Sequence, residues 1–122
     1  AQEVEGALQE SIKIIHAEIN EFHVAPQVNP KSGLPYHEWF IEFETKPNDI
    51  AAFSSLIDLN LQKRNSYYKD LISGGVLKSL EITLIRKNGF RKYMKSIGKL
   101  GGQNKTPRLA NNRDIAEKII TL

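Results

Sequence analysis

Hydrophobic residues recur at helical spacing in four segments of the chain and alternate with polar residues in three others. Spacings of three and four predict helices over residues 3–16, 50–71, 90–97 and 113–121. Period-two alternation predicts strands over residues 18–25, 36–44 and 79–86. The order α-β-β-α-β-α-α predicts an α+β fold, a small mixed β-sheet of three to four strands with helices packed against it. We expect the first two strands to pair as a hairpin.

The strand over residues 36–44 has one apolar face and one mostly acidic face. The acidic face carries Glu38, Glu42 and Glu44. We expect a sheet covered on one side, with these carboxylates in solvent. An acidic docking face is the alternative. The aromatic residues Trp39, Phe40 and Phe43 are better explained as core than as a platform for nucleic-acid bases, because an acidic strand repels a phosphate backbone.

The composition is that of one soluble globular domain of 122 residues. The sequence contains no apolar run long enough to span a membrane and no signal peptide. Cysteine is absent, which fits a cytoplasmic protein. His16, His23 and His37 lie on different predicted elements without metal-ligand spacing, so we expect surface or half-buried histidines and no metal site.

Charge is distributed unevenly along the chain. Residues 1–85 carry seven Lys/Arg and twelve Asp/Glu, a net of −5, whereas residues 86–122 carry ten and two, a net of +8. We expect the acidic and basic parts to have different tasks, the basic part binding an anionic ligand or an acidic surface. A solvated basic face remains an alternative. Cations interleave with aromatics near Phe90 and Tyr93, as in nucleic-acid-binding proteins.

Residues 98–109, here called the lysine loop, contain three glycines and three cations. Glycine allows close approach of backbone N–H groups to a ligand, and Lys and Arg neutralise phosphate. A phosphate-binding P-loop is excluded because the pattern needs glycines where Lys99 and Asn104 stand. An anion-binding loop and a flexible surface loop with incidental cations both remain open.

Several motifs together resemble one family. They are Trp39-Phe40-Ile41-Glu42-Phe43, then Leu56-Ile57-Asp58 with Leu61, Asn65-Ser66 and Tyr68, then Gly98 to Leu109 followed by Asn112-Arg113. This order is similar to the C-terminal domain of the auxin-responsive acyl-acid amido synthetases, which belong to the adenylate-forming enzymes. Tyr67 and the pair Leu71-Ile72 depart from the family pattern, which bears on the subfamily.

The resemblance implies that the domain closes over a larger one and brings a lysine to the adenylation step. The Gln-x-Lys-x-Pro-Arg match makes that lysine Lys105. It implies that Arg108 orients the loop or contacts phosphate, with Gln103 a weaker phosphate contact. Gly98, Gly101 and Gly102 would be the flexible glycines of the loop.

The resemblance also implies a ligase that uses ATP with Mg to activate a carboxylic acid and join it to an amino acid. The whole chain, residues 1–122, would be one C-terminal lid domain of a longer protein. Its partner would be the N-terminal adenylation domain, which this sequence does not contain, so we expect no activity from this chain alone. The alternatives are a free-standing basic module that binds nucleic acid or another polyanion, and a structural interaction domain. The resemblance implies no nucleic-acid or membrane partner.

Overall fold

A computed structural model describes residues 1–99, 101 and 105–122. Within these residues the elements are α1 (Gln2–Ile14), β1 (Glu18–Gln27), β2 (Tyr36–Thr45), α2 (Ile50–Arg64), α3 (Ser66–Ser73), β3 (Glu81–Leu84), α4 (Gly89–Ser96) and α5 (Asp114–Thr121). The strands form one sheet in the order β1-β2-β3. β1 and β2 are the expected antiparallel hairpin, and β3 pairs parallel with β2. The α+β fold with a small mixed sheet is therefore confirmed.

The sheet is covered on both faces, so the expectation of one covered face is wrong. Trp39 and Ile41 face a core that includes Leu8 of α1 and Phe53 of α2. Phe40, which points the other way, belongs to a second core with side chains of α4 and α5. That second core consists of Ala25, Phe40, Ile85, Phe90, Tyr93, Met94, Ala116 and Ile119. α4 and α5, which precede and follow the lysine loop in the sequence, therefore pack on the sheet face that carries Glu38 and Glu42. The sequence predicted that this face is exposed to solvent.

The long helix predicted over residues 50–71 is two helices. Asn65 adopts an extended conformation, φ −137° and ψ 102°, and its side chain accepts a hydrogen bond from the Tyr68 amide at 2.9 Å. An asparagine is among the best residues for starting a helix in this way. Apolar spacing continues across the break, which is why periodicity alone predicted one helix.

The last helix is anchored differently from the prediction. The apolar spacing of residues 113–121 predicts burial of Ile115, Ile119 and Ile120. Ile119 is buried, Ile115 is partly buried and Ile120 is exposed, and Ala116 supplies the second fully buried side chain. The pair Asn111-Asn112 predicts an asparagine cap for this helix. The capping residue is instead Arg113, whose side chain makes no cap hydrogen bond, and Asn112 accepts a hydrogen bond from the Asp114 amide at 3.0 Å from the position before it. α5 thus begins at Asp114, shortly after the lysine loop ends at Leu109, and contributes Ala116 and Ile119 to the second core.

Candidate functional site

The lysine loop begins at a sharply defined helix end. Gly98 has φ 72° and donates its amide to the Lys95 carbonyl at 3.1 Å, while the Lys99 amide donates to the Met94 carbonyl at 2.9 Å. This pair of bonds is the Schellman ending, in which a residue in the left-handed region closes a helix. Gly98 therefore has a definite structural task. Gly101 is also in the left-handed region, with φ 84°. Gly102 and Gln103 lie outside the described residues.

The loop ends on the free edge of β1. The Val24 amide donates to the Arg108 carbonyl at 2.9 Å, and the Ala110 amide donates to the Val24 carbonyl at 3.0 Å. Leu109 thereby forms a single parallel bridge with Val24, a rudimentary fourth strand. The chain that follows Lys105 is consequently fixed to the sheet.

Arg108 is held within the fold. Its Nε lies 2.8 Å from Glu21 Oε1, a second nitrogen lies 3.5 Å from Glu5 Oε1, and the guanidinium stands 4.9 Å from the ring centroid of Phe22. These contacts join the end of the loop to β1 and α1. The resemblance implied that Arg108 either orients the loop or contacts phosphate, and the contacts suit the first of these roles. Phosphate contact by Arg108 remains a prediction.

Lys105 differs from Arg108 in being exposed. Among the described residues its ammonium has no ion-pair partner. It borders a cleft of about 260 Å³ between α4, β1 and the loop. Arg91 and Lys99 line the same cleft, as do the carboxylates of Glu21 and Glu42. A small anionic group entering this cleft would meet three cationic side chains and two carboxylates, both of which already have partners within the fold.

Glu42 is one of the residues that line the cleft. It is buried, contrary to the expectation of a solvated carboxylate. Its Oε2 accepts hydrogen bonds from the Asn88 amide and the Asn20 side chain, both at 3.1 Å. Its Oε1 accepts from the Phe90 amide at 3.4 Å. A carboxylate at the first amides of a helix is favoured by the helix dipole. Glu42 therefore fixes the start of α4.

Glu38 is the second buried carboxylate of this face. Arg113 donates to its Oε1 at 2.9 Å and to the Pro26 carbonyl at 3.2 Å, and the Thr83 hydroxyl donates to its other oxygen. The Arg113 guanidinium also stands 5.6 Å from the Phe40 ring centroid. Arg113 thus ties the start of α5 to the sheet. With Glu38 and Glu42 engaged inside the fold, the acidic docking face is not supported.

His23 is more buried than expected, whereas His37 is half-buried as expected. His23 is fully buried on β1, and its Nδ1 lies 2.6 Å from the carbonyl oxygen of Pro107 in the loop. Burial lowers the pKa of His23, with the Pro107 hydrogen bond opposing the shift. His37 stacks on Tyr68 with ring centroids 5.0 Å apart, and burial lowers its pKa as well.

Sequence reasoning missed the contact between His23 and the loop. The one signal was the position of His23 in the apolar run Phe22-His23-Val24-Ala25, which predicts burial but not a partner 84 residues away.

The cations and aromatic residues that alternate near Phe90 and Tyr93 do not form a surface on which bases could stack. Phe90 and Tyr93 are buried in the second core, while Arg91, Lys92 and Lys95 are exposed on α4. Bases therefore have no access to these rings, and the nucleic-acid-binding alternative is not favoured. Within residues 1–99, 101 and 105–122, no cluster of three His, Asp or Glu is arranged to hold a metal ion. No helix in that part of the chain is long and apolar enough to cross a membrane.

A comparison with models of protein families finds a match over most of the chain. The model of the GH3 family C-terminal domain matches residues 2–114, which include the lysine loop. The chain belongs to the GH3 family. The match ends at the first residue of α5, so it includes the three strands, α4 and the lysine loop of this GH3 domain.

Solved structures support the same GH3 assignment at the level of the fold. One, described as "GH3.15 acyl acid amido synthetase", has a TM-score of 0.74 and 13% identity, covering 98% of this chain and 23% of that one. Another, "AtGH3.15 acyl acid amido synthetase in complex with 2,4-DB", has a TM-score of 0.68 and 15% identity, covering 98% and 22%. This chain spans less than a quarter of either protein. No curated protein matches the sequence.

Proposed function

We propose that this GH3 domain is the C-terminal part of an ATP-dependent ligase that joins an acyl acid to an amino acid, and that it supplies Lys105 to the adenylation step. One observation carries the proposal. Lys105 is exposed beside a cleft with two further cations, while the residues that follow it are anchored to β1. A lysine at the free part of an anchored loop can be presented to a substrate on another domain.

The chemistry requires such a cation. In adenylation a carboxylate oxygen attacks the α-phosphorus of ATP, a P–O bond forms, and pyrophosphate leaves with the electrons of the broken bond. Both reactants are anions, so their approach is opposed by charge repulsion. An ammonium group placed between them lowers that repulsion and stabilises the charge on the phosphoryl oxygens in the transition state. In the second step the amine attacks the acyl carbonyl, AMP leaves and the amine loses a proton.

The partners follow from this chemistry. ATP with Mg, a carboxylic acid and an amino acid would bind mainly to the N-terminal adenylation domain, and this domain would close over them as a lid. The cations bordering the cleft, Arg91, Lys99 and Lys105, are suited to phosphate oxygens but leave the nucleoside without a described site. We therefore propose weak nucleotide binding and no activity for this chain alone. A cytoplasmic location belongs to the proposal because ATP and free amino acids are cytoplasmic.

The other two residues implied by the resemblance have lesser roles in the proposal. Arg108 would keep the loop oriented through Glu21 and Glu5 and would reach phosphate only by exchanging one of these partners. Gln103 would contact phosphate from the part of the loop nearer to Gly98. The proposal includes no nucleic-acid or membrane partner.

The decisive experiment is Lys105→Ala in the intact enzyme, assayed by exchange of labelled pyrophosphate into ATP. We expect the exchange rate to fall by about 100-fold or more, as on removal of one transition-state donor. Lys95→Ala is the matched control, because Lys95 is an exposed lysine on the neighbouring helix, and it should retain the exchange rate. Release of product from a supplied acyl-adenylate should be affected much less than exchange.

Unchanged exchange in Lys105→Ala would remove Lys105 from the mechanism and favour the structural interaction domain. Tight, sequence-selective binding of DNA or RNA at physiological salt would instead revive the polyanion-binding module.

A further inference from the structure

The imidazole of His23 is oriented by contacts on two sides. It stacks on Phe40 with ring centroids 6.3 Å apart and an interplanar angle of 18°. Its Nδ1 is 2.6 Å from the Pro107 carbonyl oxygen, which can only accept a hydrogen bond. In the neutral ring the proton must therefore be on Nδ1. Burial, which lowers the pKa of His23, favours that neutral form.

This arrangement carries a cost that a simple core residue would avoid. His23 Nε2 is buried and has no hydrogen-bond partner among the described residues. A buried polar atom without a partner destabilises the folded state, because it has lost its hydrogen bonds to water. Leucine or phenylalanine would fill the same position between β1 and the second core without that cost. The histidine therefore provides something besides volume, and its one polar contact is the Pro107 carbonyl.

Among the described residues, the Pro107 contact is the hydrogen bond nearest to Lys105 along the chain. The backbone bonds to Val24 are made by Arg108 and Ala110, three and five residues beyond the lysine. Thr106 is buried next to Lys105, and its hydroxyl has no hydrogen-bond partner among the described residues, so it constrains the chain by packing alone. The Pro107 carbonyl is the polar contact that orients the backbone beside it.

We propose that His23 is a positioning residue for Lys105, acting through the hydrogen bond from Nδ1 to the Pro107 carbonyl. The bond fixes the last turn of the loop and with it the place of the ammonium beside the cleft. The consequence for adenylation rests on the function proposed above for Lys105, but the positioning itself does not.

Asparagine and glutamine at position 23 separate the hydrogen bond from the polarity and size of the side chain. The amide nitrogen of asparagine is as many bonds from Cβ as Nδ1 of histidine, whereas that of glutamine matches Nε2. His23→Asn therefore keeps a donor where Pro107 needs it, and His23→Gln displaces it. His23→Leu removes the donor and keeps an apolar fill.

The experiment uses the intact enzyme and two measurements. The first is the rate at which trypsin releases a peptide ending at Lys105, followed by mass spectrometry, which reports the order of the loop without any reaction. The second is pyrophosphate exchange, with kcat and KM determined separately. We expect His23→Gln and His23→Leu to raise cleavage at least threefold and to lower kcat about tenfold with KM for ATP within twofold. His23→Asn should stay within threefold of the wild type in both measurements.

The outcomes are distinct. Unchanged cleavage in His23→Gln overturns the proposal, and so does equal cleavage in His23→Gln and His23→Asn, since the donor position would then be irrelevant. If Lys105→Ala leaves exchange unchanged while His23→Gln still raises cleavage relative to His23→Asn, the adenylation role fails and the positioning of Lys105 stands. A folding defect of His23→Leu leaves the comparison of the two amides decisive.

Discussion

Replacing Glu42 by glutamine should destabilise the domain strongly, although the sequence placed this residue on a solvated strand face. Glu42 is 5% exposed, and both of its oxygens accept hydrogen bonds from N–H donors. Glutamine has one oxygen, so its NH₂ group must face either the Asn88 amide and the Asn20 side chain or the Phe90 amide. One set of donors then loses its acceptor, and the remaining bonds lose the charge.

The magnitude follows from these contacts. Keeping the glutamine oxygen on the two donors at 3.1 Å leaves the Phe90 amide unsatisfied, which costs about 1–3 kcal/mol. Loss of the carboxylate charge at the start of α4 adds about 0.3–1 kcal/mol. Together with weaker hydrogen bonds to a neutral acceptor, we expect a loss of about 2–4 kcal/mol in the free energy of unfolding, measured by urea denaturation of the 122-residue chain.

Glu44→Gln is the matched control, two residues along the same strand face. The Glu44 side chain is 51% exposed, and its ion pair with Lys87 spans 3.8 Å. An exposed ion pair contributes about 0–1 kcal/mol, so this variant should unfold at nearly the urea concentration of the wild type. Equal effects of the two substitutions would refute the reasoning and restore a solvated acidic face.

Two further predictions concern the helix break and the two histidines whose pKa is lowered by burial. Asn65→Ala removes the acceptor for the Tyr68 amide and should lower the free energy of unfolding by about 1 kcal/mol, whereas Asn65→Asp should retain most of it; equal losses in both variants would contradict the capping role. Burial holds the pKa of His23 and His37 below the usual 6.5, so the folded state binds fewer protons than the unfolded state, and stability should be full above pH 6.5 and fall as the pH drops below it. Urea denaturation between pH 8 and pH 5 checks this, and His23→Asn should reduce the dependence on pH; a rise in stability on acidification would contradict it.

Local spacing predicted the elements well because the core of each is built from its own periodic residues. Phe53, Ile57 and Leu61 are buried on α2 as their spacing indicates, and Trp39 and Ile41 face the first core. The break at Asn65 was missed for the same reason, since the apolar pattern is indifferent to one extended residue. What determines the break is the asparagine cap, a local signal weaker than periodicity.

Burial of the second sheet face could not be predicted from local sequence, because the residues that cover it lie far from β2 along the chain. Glu38 is paired with Arg113, 75 residues later, and Glu42 accepts hydrogen bonds from the Asn88 and Phe90 amides at the start of α4, 46 and 48 residues later. Burial of an unpaired carboxylate is very costly. Carboxylates on the same strand face as Phe40 therefore predict that the face is exposed to solvent, unless their partners are known. The lysine loop, by contrast, was predictable as a segment from its glycines and cations, and Lys105 from the family resemblance.

The charge asymmetry also acquires a different meaning. Two arginines of residues 86–122 form ion pairs with carboxylates of residues 1–85. Arg108 pairs with Glu5 and Glu21, and Arg113 pairs with Glu38. Acidic and basic parts therefore do not have wholly separate tasks, since some of their charges neutralise each other within the fold. Arg108 and Arg113 are half-buried and form several directed contacts, as a planar guanidinium can, whereas Arg91 and Lys105 are exposed. Lys105 is exposed on a loop whose neighbouring arginine is already engaged, so the net charge of +8 overstates the number of cations free for an anion but leaves this lysine among them.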